Sequence, residues 1–127
     1  MIIDQISVFL ENKAGSVGRV TSMLAAAGIN IKTFTLEDGS DFGILRMILS
    51  DTELGYNILK EAGVNVYKNK VVSVASPDEV GSISKIFKKL ADNDISMEYI
   101  YAFHDIDTPK VIIRTKDIEK CEATIGN

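Results

Sequence analysis

The sequence predicts an α+β protein made of two βαββαβ units, and two observations lead to this prediction. First, the chain matches itself when it is shifted by 66 residues, and the matched pairs include Gly15 with Gly81, Leu24 with Leu90, and Asp51 with Asp117. Second, stretches rich in β-branched residues alternate in each copy with stretches whose apolar residues recur at helical spacing. A repeat that preserves turns, helix stripes and strand starts together indicates a duplicated unit.

The first three elements of the first unit are a strand, a helix and a second strand. Residues 2–10 are rich in β-branched and aromatic residues and predict a strand, followed by a turn at 11–15. A helix from Ser16 to Gly28 has a predicted buried stripe of Val17, Val20, Leu24 and Ala27. Residues 29–36 then predict the second strand.

The rest of the first unit predicts a strand, a helix and a final strand. Residues 44–49 form the third strand, and Asp51 caps a helix that Gly63 ends. The predicted buried stripe of this helix is Leu54, Ile58 and Ala62. Residues 64–66 give the last strand. Two parallel crossovers of this kind close into a four-stranded antiparallel sheet with both helices on one face, the ferredoxin-like arrangement.

The second unit repeats this order but stops early. Its predicted elements are strands at 71–75, 95–103 and 111–115, a helix at 81–91 and a helix opening at Asp117. We place the units at residues 1–67 and 68–127, with a short polar connection at 67–70. The copy of the last strand would begin at position 130, beyond Asn127. Either the chain is shortened, or this unit closes its sheet with another segment, since an open sheet edge invites pairing.

Composition excludes several classes of protein. The 127 residues are 46% hydrophobic and 25% charged, and the net charge is −4. This acidic balance without a basic cluster argues against nucleic acid as a partner. The sequence has no apolar run of the roughly 20 residues that a membrane helix needs, so no membrane partner is expected. With a single cysteine and no apparent signal peptide, a cytoplasmic protein is expected.

Few residues suit catalysis. His104 is the only histidine and Cys121 the only cysteine, and no metal-ligand spacing is present. We expect His104 to be a solvated loop residue and Cys121 to pack in a helix. The sequence therefore predicts no catalytic residue, no metal and no cofactor, and the protein is not expected to be an enzyme.

The loop at residues 11–17 joins a strand end directly to a helix start. The unpaired N–H groups of a helix start stabilise a carboxylate or phosphate, and Gly15 lets a ligand approach the backbone. Asn12 and Asn30 each add a donor and an acceptor, which an α-amino acid needs. The alternative interpretation is that both asparagines are ordinary turn and strand-end residues.

These segments resemble ACT domains, small βαββαβ modules that regulate amino-acid metabolism. The resemblance rests on residues 11–17 with 27–31, and in the second copy on 76–83 with 93–97. The resemblance covers essentially the whole chain. The chain is similar to tandem ACT proteins that have no attached catalytic domain. This resemblance implies an amino-acid site, usually at an interface between two ACT units.

The resemblance implies a set of ligand-binding residues in each unit. In the first unit they are Asn12, Ala14, Gly15, Ser16, Val17, Asn30 and Ile31. In the second unit they are Asp78, Val80, Gly81, Ser82 and Ser96. Asp78 stands where Asn12 stands, so the second site gains a negative charge.

We therefore expect a non-catalytic amino-acid-binding regulatory protein, with a free amino acid as ligand and an enzyme of amino-acid metabolism as a possible partner. The alternatives are a regulatory subunit of an amino-acid biosynthetic enzyme, an RNA-binding module, or a small acylphosphatase-like enzyme. An RNA-binding module would stack bases on Tyr99, Tyr101 and Phe103, which the acidic charge argues against. An acylphosphatase needs a loop arginine and a central-strand asparagine, but Arg19 lies past the loop.

The strands also predict self-association. Residues 44–49 carry apolar side chains on both faces of the strand, whereas a sheet with one wet face normally alternates apolar with polar. The face not covered by helices is therefore expected to be apolar and to form a homodimer. The alternative is that the two units of one chain cover this face for each other.

Overall fold

The computed structural model describes residues 1–11, 13–39, 41–106 and 108–126, and it divides into two compact units. One unit is Asp4–Asn69, and the other combines Met1–Ile3 with the chain from Lys70 onward. The elements are β1 Ile2–Glu11, α1 Ser16–Ala26, β2 Ile31–Asp38, β3 Phe42–Leu49, α2 Thr52–Glu61, β4 Asn65–Ala75, α3 Ser82–Asp92, β5 Tyr99–Asp105, β6 Thr108–Arg114 and α4 Ile118–Ile125. The predicted α+β class with ferredoxin-like units is confirmed.

The unit Asp4–Asn69, here called the first unit, has the strand order β2-β3-β1-β4. β1 and β2 both pair antiparallel with β3, so that Ile6 and Phe34 each lie opposite Met47. Helices α1 and α2 contact each other. The buried core joins strand and helix residues, namely Ile6, Val8, Leu10, Val20, Leu24, Ile29, Leu45, Met47, Leu49, Leu59 and Val66.

The predicted stripe of α2 is wrong for two of its three residues. Leu54 is 43% exposed and Ala62 is also exposed, whereas Gly55 and Leu59 are buried. A Cβ atom on Gly55 would lie 2.5 Å from Leu49 Cδ1, so this glycine lets the helix approach β3 closely. Close approach at a glycine rotates the buried face away from the largest side chains, which apolar spacing alone does not reveal. In α1, Ala27 follows the helix and is exposed.

The second unit contains residues of β4, β6 and β5 in that order, with helices α3 and α4 in contact. Its missing fourth strand is replaced by the first residues of β1. The Ser73 N–H donates to the Met1 carbonyl (2.8 Å), and the Met1 ammonium donates to the Ser73 carbonyl (2.9 Å) and pairs with Glu122 Oε2 (2.7 Å). Of the two alternatives left open by the sequence, the structure thus shows closure by another segment.

The core of the second unit repeats that of the first. Its buried residues are Val72, Val74, Ile86, Leu90, Ile95, Val111, Ile113, Cys121 and Ile125. Leu90, at the position matched to Leu24, is 1% exposed, and Leu24 is fully buried. Ile83 and Phe87 of α3 are 41% and 39% exposed, so this helix buries a narrow stripe.

Residues 67–70 are part of a strand, although the sequence predicted a polar connection. β4 runs without a break through them, and its polar side chains have partners. The Tyr67 ring meets the Phe9 ring edge to face at 5.5 Å, and the Ser7 hydroxyl donates to Asn69 Oδ1. Arg114 Nη1 donates to the Lys70 carbonyl (2.6 Å). These contacts stabilise as strand a segment whose composition suggested a linker.

Strands β2 and β5 begin later than predicted. Ile29 and Ile95 are buried, but their N–H groups donate to the Leu24 and Leu90 carbonyls (3.0 and 2.9 Å). They therefore close the ends of α1 and α3 rather than pair in a sheet. An apolar residue directly after a helix stop can thus hydrogen-bond to the last turn of the helix, and the strand starts only after it.

The sheet face without helices is less exposed than the sequence suggested. Ile48 is 5% exposed, and Val71 and Ile112 are fully buried within one chain. Phe34 (62%) and Phe42 (56%) are also exposed in the first unit, but Phe34 lies opposite the core residue Met47 and thus on the face that the helices cover. None of the helices among the described residues is long and apolar enough to cross a membrane.

Candidate ligand-binding loops

The loop between β1 and α1 leaves the start of the helix without a side-chain cap. Gly15 occupies the N-cap position with φ +89°, a left-handed conformation that favours glycine. The Ser16 N–H donates only weakly, to the Lys13 carbonyl at 3.4 Å. The positive end of the α1 dipole therefore faces the solvent at this loop, where it favours an anion.

A cavity of about 500 Å³ opens beside this helix start. Three of the predicted site residues, Ala14, Gly15 and Ser16, line it, and Lys13 and Arg19 add positive charge. Lys13 pairs with Glu11 (3.0 Å), whereas no ion pair within the described parts of the chain includes Arg19. Its other walls include the apolar side chains of Phe9, Phe42 and Val64. The cavity thus combines an anion-binding end with an apolar wall.

Sequence reasoning missed Arg19 as part of this cavity. Arg19 follows Gly15 by four residues, and the Arg19 N–H donates to the Gly15 carbonyl (3.0 Å). This spacing is one helical turn, which puts both residues on the same side of the helix start. No sequence spacing could have predicted Phe42 as part of the cavity. Phe42 lies there because β3 pairs with the end of β1, where Phe42 is opposite Glu11.

A smaller cavity of about 130 Å³ lies nearby in the first unit. Ser16 and Val17 line it together with Leu36 and Asp38 at the end of β2. This places Val17, another predicted site residue, next to the edge strand of the unit. Asn12, predicted as a central ligand-binding residue, lies outside the described residues.

The structure does not bring Asn30 and Ile31 to the Gly15 loop of the same unit. They line a separate groove with Thr21, Ser22 and Ala25, at the far end of α1. The 11 residues of α1 span about 16 Å, which is too far for a single amino acid to bridge. The Asn30 N–H donates to Ser50 Oγ, and its carbonyl accepts from the Ser50 N–H, both at 2.9 Å.

The loop of the second unit has the same backbone but a different charge. Gly81 caps α3 with φ +89°, again without a side-chain cap. The adjoining cavity of about 640 Å³ is lined by Asp78 and Ser82, both predicted site residues, and by Glu79 and His104. Two carboxyl groups stand at this helix start, and Lys110, which also lines the cavity, pairs with Asp105 (3.4 Å), so this loop favours an anion less than the first loop does.

Three predicted residues of the second site do not line its cavity, and one of them, Gly81, is the cap of α3. Val80 is fully exposed and does not line the cavity. Ser96 lies beyond the other end of α3, where its carbonyl accepts a hydrogen bond from Thr115 Oγ1 (2.7 Å). His104 was predicted to be a solvated loop residue; it is exposed, but it belongs to β5 and lines the cavity wall.

Metal binding and thiol chemistry find little support in the described residues. No group of histidine, cysteine, aspartate or glutamate side chains among them is arranged to hold a metal ion. The only cysteine, Cys121, is fully buried, and burial, together with the nearby Glu122 carboxylate, raises the pKa of its thiol. A buried thiol with a raised pKa is a poor nucleophile.

Comparison with known proteins identifies the family. A family model described as "ACT domain pair" matches residues 1–126. The chain belongs to this family. A solved protein from Bacteroides thetaiotaomicron is 35% identical to this ACT pair with a TM-score of 0.90, covering 98% of this chain and 86% of that one. No protein in the comparison with curated proteins matches the sequence.

Two solved regulatory subunits of aspartate kinase share the fold. The ligand-free subunit from Thermus thermophilus is 15% identical with a TM-score of 0.66, covering 98% of this chain and 94% of that one. The subunit from Thermus flavus is 16% identical with a TM-score of 0.62, covering 98% of this chain and 92% of that one. The similarity extends over nearly the full length of both chains in each comparison.

Proposed function

We propose that this ACT pair is a non-catalytic, cytoplasmic regulatory protein that binds a free amino acid and acts as a homodimer on an enzyme of amino-acid metabolism. The observation that carries the proposal is the first loop, where an uncapped helix start, Arg19 and an apolar wall surround one cavity. The family supports a regulatory role, and so does the similarity to two regulatory subunits of aspartate kinase.

The ligand's carboxylate binds at the start of α1. There the backbone N–H groups, Lys13 and Arg19 all favour negative charge. The ligand's side chain packs on Phe9, Phe42 and Val64, so an amino acid with an apolar side chain fits this cavity better than an acidic one. The predicted residues Ala14, Gly15, Ser16 and Val17 form the loop side of the site, and Asn12 stays a predicted ligand-binding residue.

Asn30 and Ile31 join this site only from a second copy of the chain. Their distance from the loop within one unit supports a site shared between copies, in which the Asn30 side chain binds the ligand's ammonium group. The second loop binds the same ligand more weakly, because Asp78 and Glu79 repel a carboxylate. We therefore expect one high-affinity site per chain.

The test is a calorimetric titration of the whole chain with each of the twenty amino acids. We expect saturable heat with at least one apolar amino acid and a stoichiometry of one per chain. Arg19→Gln removes a charged partner of the carboxylate and is expected to weaken binding about tenfold or more. Lys85→Gln, at the matched position of α3, is the control and leaves the affinity unchanged.

Two results would contradict the proposal. If none of the twenty amino acids gives heat or a shift in the unfolding temperature, the chain is not an amino-acid sensor. If Arg19→Gln and Lys85→Gln weaken binding equally, the first loop is not the preferred site. Recovery of the ligand chemically unchanged after incubation separates a sensor from an enzyme.

A further inference from the structure

Two phenylalanine side chains line the cavity of the first unit and remain open to solvent. Phe9 belongs to β1 and Phe42 begins β3, and they are 36% and 56% exposed. The cavity of about 500 Å³ is within the size range of small-molecule sites. Because aromatic rings prefer defined geometries toward other rings, such a wall recognises more than the hydrophobicity of a ligand.

Both rings lie on the face of the sheet that the helices do not cover. On β1, Phe9 stands between the core residues Val8 and Leu10, and side chains alternate between the faces of a strand. On β3, Phe42 is an odd number of residues from the core residue Leu45. The two rings therefore share one face, at the end of the sheet where β1 leads into the loop.

The strand register sets the spacing of the two rings. Phe9 lies opposite Ile44 and Phe42 lies opposite Glu11, so the two phenylalanines are diagonal neighbours across β1 and β3. Diagonal neighbours on an antiparallel pair are about 7–8 Å apart. A flat ring placed between two others needs about 3.5–4 Å on each side, which adds up to the same distance. The spacing therefore suits a third ring between Phe9 and Phe42.

A contact with Tyr67 restrains one of the two rings. Among the residues that the structure describes, Phe42 contacts no other aromatic ring, and Phe9 contacts Tyr67 alone, edge to face with the ring centroids 5.5 Å apart. Tyr67 lies on β4 and Phe42 on β3, which are on opposite sides of β1 in the sheet. The side of Phe9 that faces Phe42 is therefore open to a ligand.

The charged end of the same cavity orients a ligand that has a ring. Lys13, Arg19 and the uncapped start of α1 favour a carboxylate there. An α-amino acid whose side chain ends in a ring carries both groups on one short frame. The cavity offers a matching partner for each of them.

We propose that the first cavity selects an aromatic amino acid, whose ring inserts between Phe9 and Phe42. The inference rests on the amino-acid site of the proposed function and narrows its ligand from apolar to aromatic amino acids. Phe9 and Phe42 contact the ligand, whereas Tyr67 is a positioning residue that acts through Phe9.

The second unit lacks this pair of rings. At the 66-residue shift, Phe9 corresponds to Ala75 and Phe42 to Thr108. Phe103 lines the second cavity, but its side chain is only 6% exposed and offers little of its ring to a ligand. Selection of an aromatic ligand is therefore specific to the first loop and does not follow from the fold of an ACT unit alone.

The test compares L-phenylalanine with L-cyclohexylalanine, which has the same carbon skeleton with a saturated ring. Burial of apolar area alone favours the saturated ring, because it exposes more apolar surface in water. Contacts between aromatic rings favour phenylalanine. In calorimetric titrations of the whole chain, we expect phenylalanine to bind about 3- to 10-fold more tightly than cyclohexylalanine.

Variants of the two rings test where this preference arises. Phe9→Leu and Phe42→Leu each keep an apolar wall but remove one ring, so each should lower the ratio of the two affinities toward one. Phe87→Leu is the matched control and should leave the ratio unchanged. Phe87 is 39% exposed on α3 and does not line the first cavity.

The positioning role of Tyr67 has its own pair of variants. Tyr67→Leu should lower the affinity ratio, and Tyr67→Phe, which keeps the ring against Phe9, should preserve it. A merely structural role of Tyr67 would weaken both ligands equally and leave the ratio as it is in the wild type.

L-Tryptophan gives a second readout, because the chain itself contains no tryptophan. Light that excites tryptophan but not tyrosine therefore reports on the ligand alone. Its emission should move to shorter wavelength as the indole leaves water, and at saturation this shift should be smaller with Phe42→Leu than with Phe87→Leu. Equal shifts with the two variants would contradict insertion beside Phe42.

The outcomes distinguish this proposal from the proposed function. If phenylalanine and cyclohexylalanine bind equally, as they would if the rings served a partner protein, or if only aliphatic amino acids bind, aromatic selection is wrong and the sensor role stands. If the preference for phenylalanine survives in both Phe9→Leu and Phe42→Leu, the two rings are not its cause. If none of the twenty amino acids binds, the proposed function fails and this inference fails with it.

Discussion

The two loops of this ACT pair share a backbone and differ in chemistry. Gly15 and Gly81 have the same φ of +89°, and each precedes a helix of 11 residues without a side-chain cap. The charged residues of the first cavity are Glu11, Lys13 and Arg19, while those of the second are Asp78, Glu79 and Lys110, with His104 beside them. Duplication has kept the turn that exposes a helix start and changed the charge beside it, so ligand preference depends on side chains that the fold does not dictate.

The two units also complete their sheets differently. The first unit uses the first half of β4, up to Asn69, whereas the second uses Met1–Ile3 in the corresponding place. β4 itself contributes residues to both units, since it runs from Asn65 to Ala75 across the division at Asn69. Unfolding of either unit would therefore also disturb β4, which the other unit needs.

The largest expected effect comes from the matched core residues Leu24 and Leu90. Both are essentially fully buried, so Leu24→Ala and Leu90→Ala should each lower the free energy of unfolding by about 2–5 kcal/mol. Because both units share β4, we expect a single calorimetric transition that moves down in either variant. Two separate transitions, of which each variant moves one, would show that the units unfold independently.

The next effect concerns the two capping glycines. Gly15→Ala and Gly81→Ala each force a side chain into a left-handed conformation, which costs about 1–2 kcal/mol. No atom lies within 4 Å of either added Cβ, so the cost is backbone strain alone and should be equal in the two units. Denaturant titration measures it.

The same glycine variants should differ in ligand binding. Only Gly15 lines a cavity with free positive charge, so Gly15→Ala is expected to weaken amino-acid binding while Gly81→Ala leaves it unchanged. Unequal losses of stability would mean that the two turns are not equivalent, and equal losses of affinity would contradict the assignment of the ligand to the first loop.

The sequence predicted those features that local chemistry decides. The shift of 66 residues, the capping turns and most strands follow from side-chain periodicity and glycine placement. It did not predict the buried face of α2, because Gly55 carries no apolar side chain, yet the helix packs there against Leu49. It also predicted a linker at residues 67–70, because the bonds to the Asn69 side chain and the Lys70 carbonyl form only in the folded sheet.

The candidate site was predictable in part for the same reason. The Gly15 loop is a local motif and was found, whereas Arg19 enters through helical spacing and Phe42 through strand pairing. Asn30 was expected opposite the loop, but α1 separates the two within one unit. Contacts between residues that depend on another element, or on another copy, cannot be predicted from a single segment of sequence.

A smaller effect distinguishes the two matched helix caps. Asp51 Oδ1 accepts from the Leu54 N–H (3.1 Å), whereas Asp117, at the equivalent position, makes no side-chain cap bond. Asp51→Ala should therefore lower the free energy of unfolding by about 1 kcal/mol. Asp117→Ala should change it by only a few tenths. Chemical denaturation of the two variants measures both changes, and a larger loss of stability in Asp117→Ala than in Asp51→Ala would contradict this prediction.

The smallest expected effect is a pH dependence that belongs to the second unit alone. Burial raises the pKa of the Cys121 thiol in the folded chain, and its ordinary value returns on unfolding. The native state then holds the proton more tightly, so the stability from this group is complete below the unfolded pKa and declines as pH rises through the folded pKa. Unfolding of wild type and Cys121→Ala should be compared from pH 7 to 10. The variant loses packing at every pH, but its stability should fall less steeply over this range, and parallel curves would contradict the assignment.

Thiol labelling gives a second readout, because the first unit has no cysteine and reaction of Cys121 requires the second unit to open. Labelling should therefore accelerate in Leu90→Ala, and equal acceleration in Leu24→Ala would show that opening of one unit opens the other.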